Sequence, residues 1–226
     1  MVLALEVART VPRPRRPLLT RERIIECAIE IIDADGLDAL STRRLASELN
    51  VQAPSLYNHF TTKEEILDGV ADTLFEQVDL SMLGRDPWPA ALREWARGYR
   101  RVLVNHPNIV PIVARGPGRR PAQLRVNDAV YGALVDAGWP PAYATRIGAL
   151  MRYLVTGSAL GSFALGFPDD PSLYRESYPN LGEAHRLRKH QAEVDEGAFE
   201  LGLSTIIAGL EKTFAELRPA SSGKAR

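Results

Sequence analysis

The chain has 226 residues, 45% of them hydrophobic and 25% charged, which suits one large or two small soluble domains with a sizeable core. Its 28 basic residues balance 28 acidic ones, so total charge makes no case for a nucleic-acid partner. Cys27 is the single cysteine, which excludes an intrachain disulfide, and its neighbours Ile24, Ile25, Ala28 and Ile29 mark it as a packing residue.

The charge is unevenly distributed. Arg9, Arg13, Arg15, Arg16, Arg21 and Arg23 face only Glu6 and Glu22 at the start of the chain. Residues 1–19 also carry Pro12, Pro14 and Pro17 without periodicity, which predicts a disordered basic arm. Such an arm is either a solvated tail or a reach toward DNA phosphate or the minor groove. The first apolar run precedes the arginines, the reverse of a secretory signal, so a cytoplasmic protein is expected.

Thr20 is placed to cap a helix to about Asp35, with Ile24, Ile25, Ala28, Ile29, Ile31 and Ile32 on one face and Gly36 as its stop. Ser41 or Thr42 caps a second helix that turns Leu45, Ala46 and Leu49 inward. Asn50 tolerates a left-handed turn, and Pro54 suits the first turn of a third helix anchored by Leu56 and Phe60. That leaves Gln52, Ala53, Ser55, Tyr57, Asn58 and His59 outward or sideways. Two short helices joined by a tight turn, the second presenting small, polar and aromatic residues, form a helix-turn-helix suited to a DNA major groove. Thr42 and Arg43 supply phosphate donors; Gln52, Ser55 and Tyr57 can reach base edges, and Ala53 and Pro54 offer apolar contact to a thymine methyl.

Thr62-Lys63-Glu64-Glu65 matches a capping box, opening a fourth helix expected to reach about Ser81. Leu92, Trp95, Ala96, Tyr99, Val102 and Leu103 predict a fifth, ending at His106-Pro107; residues 109–114 are a short apolar piece. Residues 115–121 lack the ending of a phosphate loop and read as a turn. A helix follows over 122–137. Residues 147–167 are nearly all apolar and long enough to weigh a membrane span, but Arg152 lies inside the run with Thr156, Ser158 and Ser162, so a buried interface helix is expected. Gly157 and Gly161, with nearby alanines, allow close helix approach. Residues 167–181 read as loop, with a short helix possible over 181–190. The last helix, 195–217, carries Phe199, Leu203, Ile206, Leu210, Thr213 and Leu217 at alternating steps of four and three, a coiled-coil-like seam. No strand alternation or repeat stands out, so the fold class is all-α.

Residues 20–81 resemble the DNA-binding region of the tetracycline-repressor family of bacterial regulators. The matching string is Leu45-Ala46-x-x-Leu49-x-Val51-x-x-Pro54-Ser55-Leu56-Tyr57-x-His59-Phe60, then Lys63-Glu64-Glu65-Ile66-Leu67. The resemblance implies phosphate or backbone contacts from Thr42, Arg43, Tyr57 and Lys63, base-facing positions at Gln52, Ala53, Pro54 and Ser55, and His59 near the backbone. Residues 199–211 resemble the last helix of the tetracycline-repressor branch, implying a four-helix homodimer interface built from this helix and residues 147–167. Gly157, Gly161, Phe199, Leu203, Ile206, Leu210 and Leu217 are the interface candidates. The drug and magnesium site of that branch is not carried over, because Asp79 stands where it has a ligand histidine.

These readings divide the chain into a basic arm (1–19), a helix-turn-helix domain (20–66), a helical regulatory and dimerisation domain (67–218) and a flexible tail (219–226). A pocket for a small-molecule effector is expected among Phe75, Trp95, Tyr99, His106 and Tyr153, with Arg152 as its polar anchor. The four histidines form no His-Glu-x-x-His site and there is no serine elbow, so no enzyme activity, metal or cofactor is assigned. The expected function is a ligand-responsive repressor released from a palindromic operator; the competing reading is a helical small-molecule-binding protein or enzyme with incidental DNA binding.

Overall fold

The computed structural model describes residues 19–116 and 118–217, so nearly all of the basic arm and the whole of the polar tail lie outside the described residues. Ten α-helices and several short 3-10 turns follow one another, without a strand among the described residues. α1 (Arg21–Asp35) is capped by Thr20, whose Oγ1 accepts from the Arg23 N–H at 3.2 Å, and it stops at Gly36 with φ 86°. α2 (Thr42–Glu48) is capped by Ser41, and α3 (Ala53–Leu56) follows a turn in which Asn50 takes φ 53°.

α4 (Lys63–Glu76) starts at Thr62, whose Oγ1 accepts from the Glu65 N–H. The return bond of the capping box falls one residue early: the Glu65 carboxylate accepts from the Thr61 N–H at 2.7 Å. The helix also ends short of the expected Ser81, because Asp79 turns the chain by accepting from the Ser81 N–H. α5 (Trp88–Asn105), α6 (Val110–Ala114) and α7 (Pro121–Asp136) continue in order.

α8 spans Pro141–Ala159 rather than residues 147–167. Pro141 suits a first turn, so the helix begins earlier than its apolar run. At the other end the chain leaves the helix after Leu160, and the Phe163 N–H is held by Asp195 instead of by a helical carbonyl. Gly161 therefore lies past the helix end. No helix among the described residues is long and apolar enough to cross a membrane. The expected loop after it contains α9 (Pro171–Ser177), capped by Asp170, and residues 184–190 form a 3-10 helix. α10 begins earlier than expected and runs Gln191–Leu217.

α1 packs on α4, α4 on α7, α7 on α8, and α8 on both α5 and α10. One core joins Ile24, Leu45, Leu56 and Phe60 at the amino-terminal end to Leu74, Trp95, Met151 and Leu203 in the rest of the molecule. Cys27 is part of it, and burial pushes its thiol up, as expected of a packing cysteine. Polar clamps bind α10 to α5: Arg97 grips Glu200 with two 2.8 Å bonds, and buried Arg100 pairs with Glu196 while its guanidinium lies 4.6 Å from the centre of the Phe199 ring. The far end of the bundle is closed by Trp139, whose ring sits 4.8 Å from Phe214 and 5.2 Å from Trp88.

Trp139 is only 2% exposed. Trp139→Ala is expected to cost about 3–5 kcal/mol of unfolding free energy, read by urea denaturation at fixed protein concentration. A loss under about 1 kcal/mol would show that the aromatic cap does not hold the bundle end.

Candidate nucleic-acid interface and internal cavity

The helix-turn-helix is rigid because its turn satisfies itself. The Val51 N–H bonds the Ala46 carbonyl at 2.9 Å, and the His59 and Phe60 N–H groups both bond the Leu56 carbonyl. Leu56 and Phe60 are buried, so α3 is pinned through two side chains. Arg21 adds a lock from α1: its guanidinium lies 3.9 Å from the centre of the Phe60 ring and donates to the His59 carbonyl.

This anchoring leaves one face open. Gln52, Pro54, Tyr57 and Asn58 are exposed, Tyr57 at 56%, while Ala53, Ser55 and His59 are half-buried beside them. Arg43 is exposed at the start of α2, Thr42 is half-buried there, and Lys63 sits half-buried at the start of α4. Adjacent Arg44 differs from Arg43. It is held by Glu48 at 2.8 Å and Asp35 at 3.2 Å, so its charge is already answered within the protein. Arg43 and Lys63 have no such ion pair among the described residues, which leaves their charge available to a phosphate.

A cavity of about 500 Å³ opens between α5, α7 and α8. Trp95 and Tyr99 come from α5; Gln123, Leu124, Asn127, Val130 and Tyr131 from α7; Ala144, Gly148, Ala149 and Arg152 from α8. Of the expected lining residues, Trp95, Tyr99 and Arg152 come together here. Phe75 lies behind the wall, its ring 5.3 Å from that of Tyr99. Tyr153 points the other way and is 69% exposed, because one step along a helix rotates a side chain far from its neighbour. His106 is also elsewhere: its Nδ1 lies 2.7 Å from the Asp33 carboxylate at the end of α1.

The α7 contribution is one that sequence reasoning misses, although Gln123, Asn127 and Tyr131 recur at steps of four and mark one face. Gln123 is buried, with its backbone N–H held by Asp72 of α4 and its Oε1 accepting from Arg120. Burial pushes the Tyr99 phenol up, outweighing Thr156 and Arg152, so it stays a neutral hydroxyl. No group of three or more His, Cys, Asp or Glu among the described residues could hold a metal ion.

The expected interface residues divide. Phe199 and Leu203 are buried in the protomer's own core, and Ile206 and Leu210 pack partly against it. Their seam is inward. The opposite face of α10 exposes Ala198, Leu201, Thr205 and Ala208, with Leu201 at 71%. α8 exposes Leu150, Tyr153 and Gly157, and its C-cap exposes Leu160, again at steps of three and four. Gly157 thus lies on an outward stripe, and Leu217 is exposed near the end of α10.

Two family models match the chain. Residues 24–70 match "Bacterial regulatory proteins, tetR family" and residues 81–214 match "Tetracyclin repressor-like, C-terminal domain". The class C tetracycline repressor protein of Escherichia coli is 34% identical over 204 residues, covering 86% of this chain and 91% of that protein. An HTH-type transcriptional regulator of Saccharopolyspora erythraea is 29% identical over 214 residues, covering 88% and 87%. Among solved structures, apo ActR of Streptomyces coelicolor superposes with a TM-score of 0.71 at 33% identity, covering 88% of this chain and 98% of that one. ActR in complex with actinorhodin gives 0.69 at 31% identity, covering 87% and 99%. With a pinned helix-turn-helix at one end and a lined cavity at the other, the chain belongs to the tetracycline-repressor-like family of bacterial regulatory proteins and is a DNA-binding transcriptional regulator.

Proposed function

We propose that the protein acts as a cytoplasmic homodimeric repressor, by binding and without catalysis, and that a small molecule in the α5–α7–α8 cavity releases it from a near-palindromic operator. The observation that carries this reading is the pinned α3: a four-residue helix held by Leu56 and Phe60, with a polar and aromatic outer face between Arg43 and Lys63, two cations without an ion pair among the described residues. Gln52, Ala53, Pro54 and Ser55 meet base edges at the start of α3, where a recognition helix enters the groove. Thr42, Arg43, Tyr57 and Lys63 hold the backbone on either side, and His59 lies near it.

The outward stripes of α8 and α10 support self-association. Leu150, Tyr153, Gly157 and Leu160 on one helix and its C-cap, and Ala198, Leu201, Thr205 and Ala208 on the other, combine large and small residues at coiled-coil spacing. Pairing them about a two-fold axis places two reading helices in successive major grooves. The arm and tail boundaries at residues 19 and 219, and the division near residue 66, remain part of this proposal. α4 crosses that division: it starts beside the reader and bonds α7 through Asp68 and Asp72. A ligand that favours one placement of α4 changes DNA affinity by its differential affinity for the two states.

On a duplex selected from a random-sequence pool, Tyr57→Ala and Arg43→Ala are each expected to weaken binding by about 1–3 kcal/mol while leaving the thermal melt unchanged. The Arg43 variant should also flatten the salt dependence by about one counterion. Wild-type affinity from either folded variant would overturn its assignment. Leu201→Glu is expected to give monomers in sedimentation, since it places a charge on the α10 stripe; an unchanged dimer would move the interface elsewhere. A Cβ at Gly148 would meet only open space, so Gly148→Phe fills the cavity. This variant should bind the duplex like the wild type but resist release by compounds that dissociate the wild type. Normal release would place the effector outside this cavity.

A further inference from the structure

α1 is tied to other parts of the molecule at both ends. At its start, the Arg21 guanidinium lies over the Phe60 ring and donates to the His59 carbonyl, which joins the helix to the end of α3. At its finish, two side chains from just past the end of α5 reach back to it. His106 Nδ1 lies 2.7 Å from Asp33 Oδ2, and an ionised carboxylate only accepts, so the ring donates. Asn108 Nδ2 donates to the Ile32 carbonyl at 2.9 Å and to the Asp33 carbonyl at 3.3 Å. The last turn of α1 has no basic residue of its own and carries Asp33 and Asp35 instead, which the carbonyl end of a helix disfavours. Each acid is answered by a tie: Asp35 by Arg44 of α2, within the helix-turn-helix unit, and Asp33 by His106, outside it. The outside donors stand on firm ground. They flank Pro107 at the start of a 3-10 turn (Pro107–Ile109), and the residues that follow, Ile109 and Val110, are fully buried.

We propose that His106 and Asn108 are positioning residues for DNA binding. By holding the carbonyl end of α1 they set the angle at which the helix-turn-helix leaves the molecule, and so the half-site spacing the protein accepts, an inference that rests on the dimeric reading above. A helix of 15 residues is about 22 Å long, so α1 is a strut between this tie and α3. With that length, a tilt of about 5° about the tied end moves the other end by about 2 Å. In a two-fold pair the displacement counts twice, to about 4 Å, and one base pair occupies about 3.4 Å of DNA axis. A few degrees at the tie are therefore worth about one base pair of spacing. Hydrogen bonds from a firmly held turn fix direction as well as distance. The apolar packing of α1 on α4 restrains distance but is non-directional, so it leaves this angle less sharply set.

Equilibrium binding of the intact protein to the selected duplex, and to derivatives with one base pair added or removed at its centre, tests this. The loosened variant combines His106→Phe with Asn108→Leu, which keep the side-chain size and remove the donors. The wild type is expected to bind the altered spacings about 30-fold more weakly or worse, and the double variant only about threefold more weakly, since spacing is a matter of geometry between the two readers. The penalty for changing one base pair inside a half-site should stay within about twofold of the wild type, because the reading face is untouched. Asp33→Asn keeps an acceptor for the ring and should hold the wild-type spacing ratio within about threefold. A merely structural role would weaken every duplex alike; an unchanged spacing ratio in the folded double variant overturns the inference. Should that variant lack the wild-type melt, Asn108→Ala alone is scored by the same ratio, expected to fall about threefold with the loss of one tie, and no change there overturns the inference equally. Sedimentation of the wild type on the duplex separates this outcome from failure of the dimeric reading. A wild type that binds as a monomer or ignores spacing removes that reading and the inference with it. A dimer with a sharp spacing preference that its variants share removes the inference alone.

Discussion

The fold turns on one buried charge. Arg120 is 5% exposed, and a guanidinium in that position is tolerated only when its donors are met. It meets them by joining separate pieces of chain: Asp68 on α4, the Ile112 and Gly116 carbonyls at the end of α6, and Gln123 on α7. A helix end needs partners for its last carbonyls, and here they are supplied from outside the helix. The same group therefore finishes α6, fixes the wall of the cavity and ties down the helix that follows the DNA reader.

Rigidity and openness are divided around that tie. At the reader, capping bonds, a self-satisfied turn and the Leu56 and Phe60 anchors hold a very short helix that could not persist alone. At the cavity, Trp95 Nε1 and Arg152 Nε are left without a hydrogen-bond partner among the described residues. The reader is thus over-determined and the cavity under-satisfied. The connection between them is polar and directional, running through Arg120 and Asp68.

Much of this is legible from residue order. The cap residues, the Gly36 stop, the Asn50 turn and the Leu56 and Phe60 anchors are local signals, and local signals survive folding because they concern neighbours in the chain. The ends of α4 and α8 escape such signals for the same reason reversed. Apolar spacing continues past both ends, while the actual stop near α8 depends on Asp195, far along the chain. The α10 seam shows a further limit. Two stripes of near-heptad spacing lie side by side on that helix, and periodicity does not say which one the protomer keeps for itself.

Sequence alone determined an all-α chain, the short helices and turn of a helix-turn-helix, and membership of a regulator family, since these rest on short-range pattern and on a dense motif. Tertiary structure decided what the middle of the chain does. It brought Trp95, Tyr99 and Arg152 to one cavity with an α7 face, sent His106 to Asp33 and Tyr153 outward, and turned Phe199 and Leu203 into core. The reason is physical: which of a helix's faces is buried depends on the helices packed around it, and those neighbours come from elsewhere in the chain.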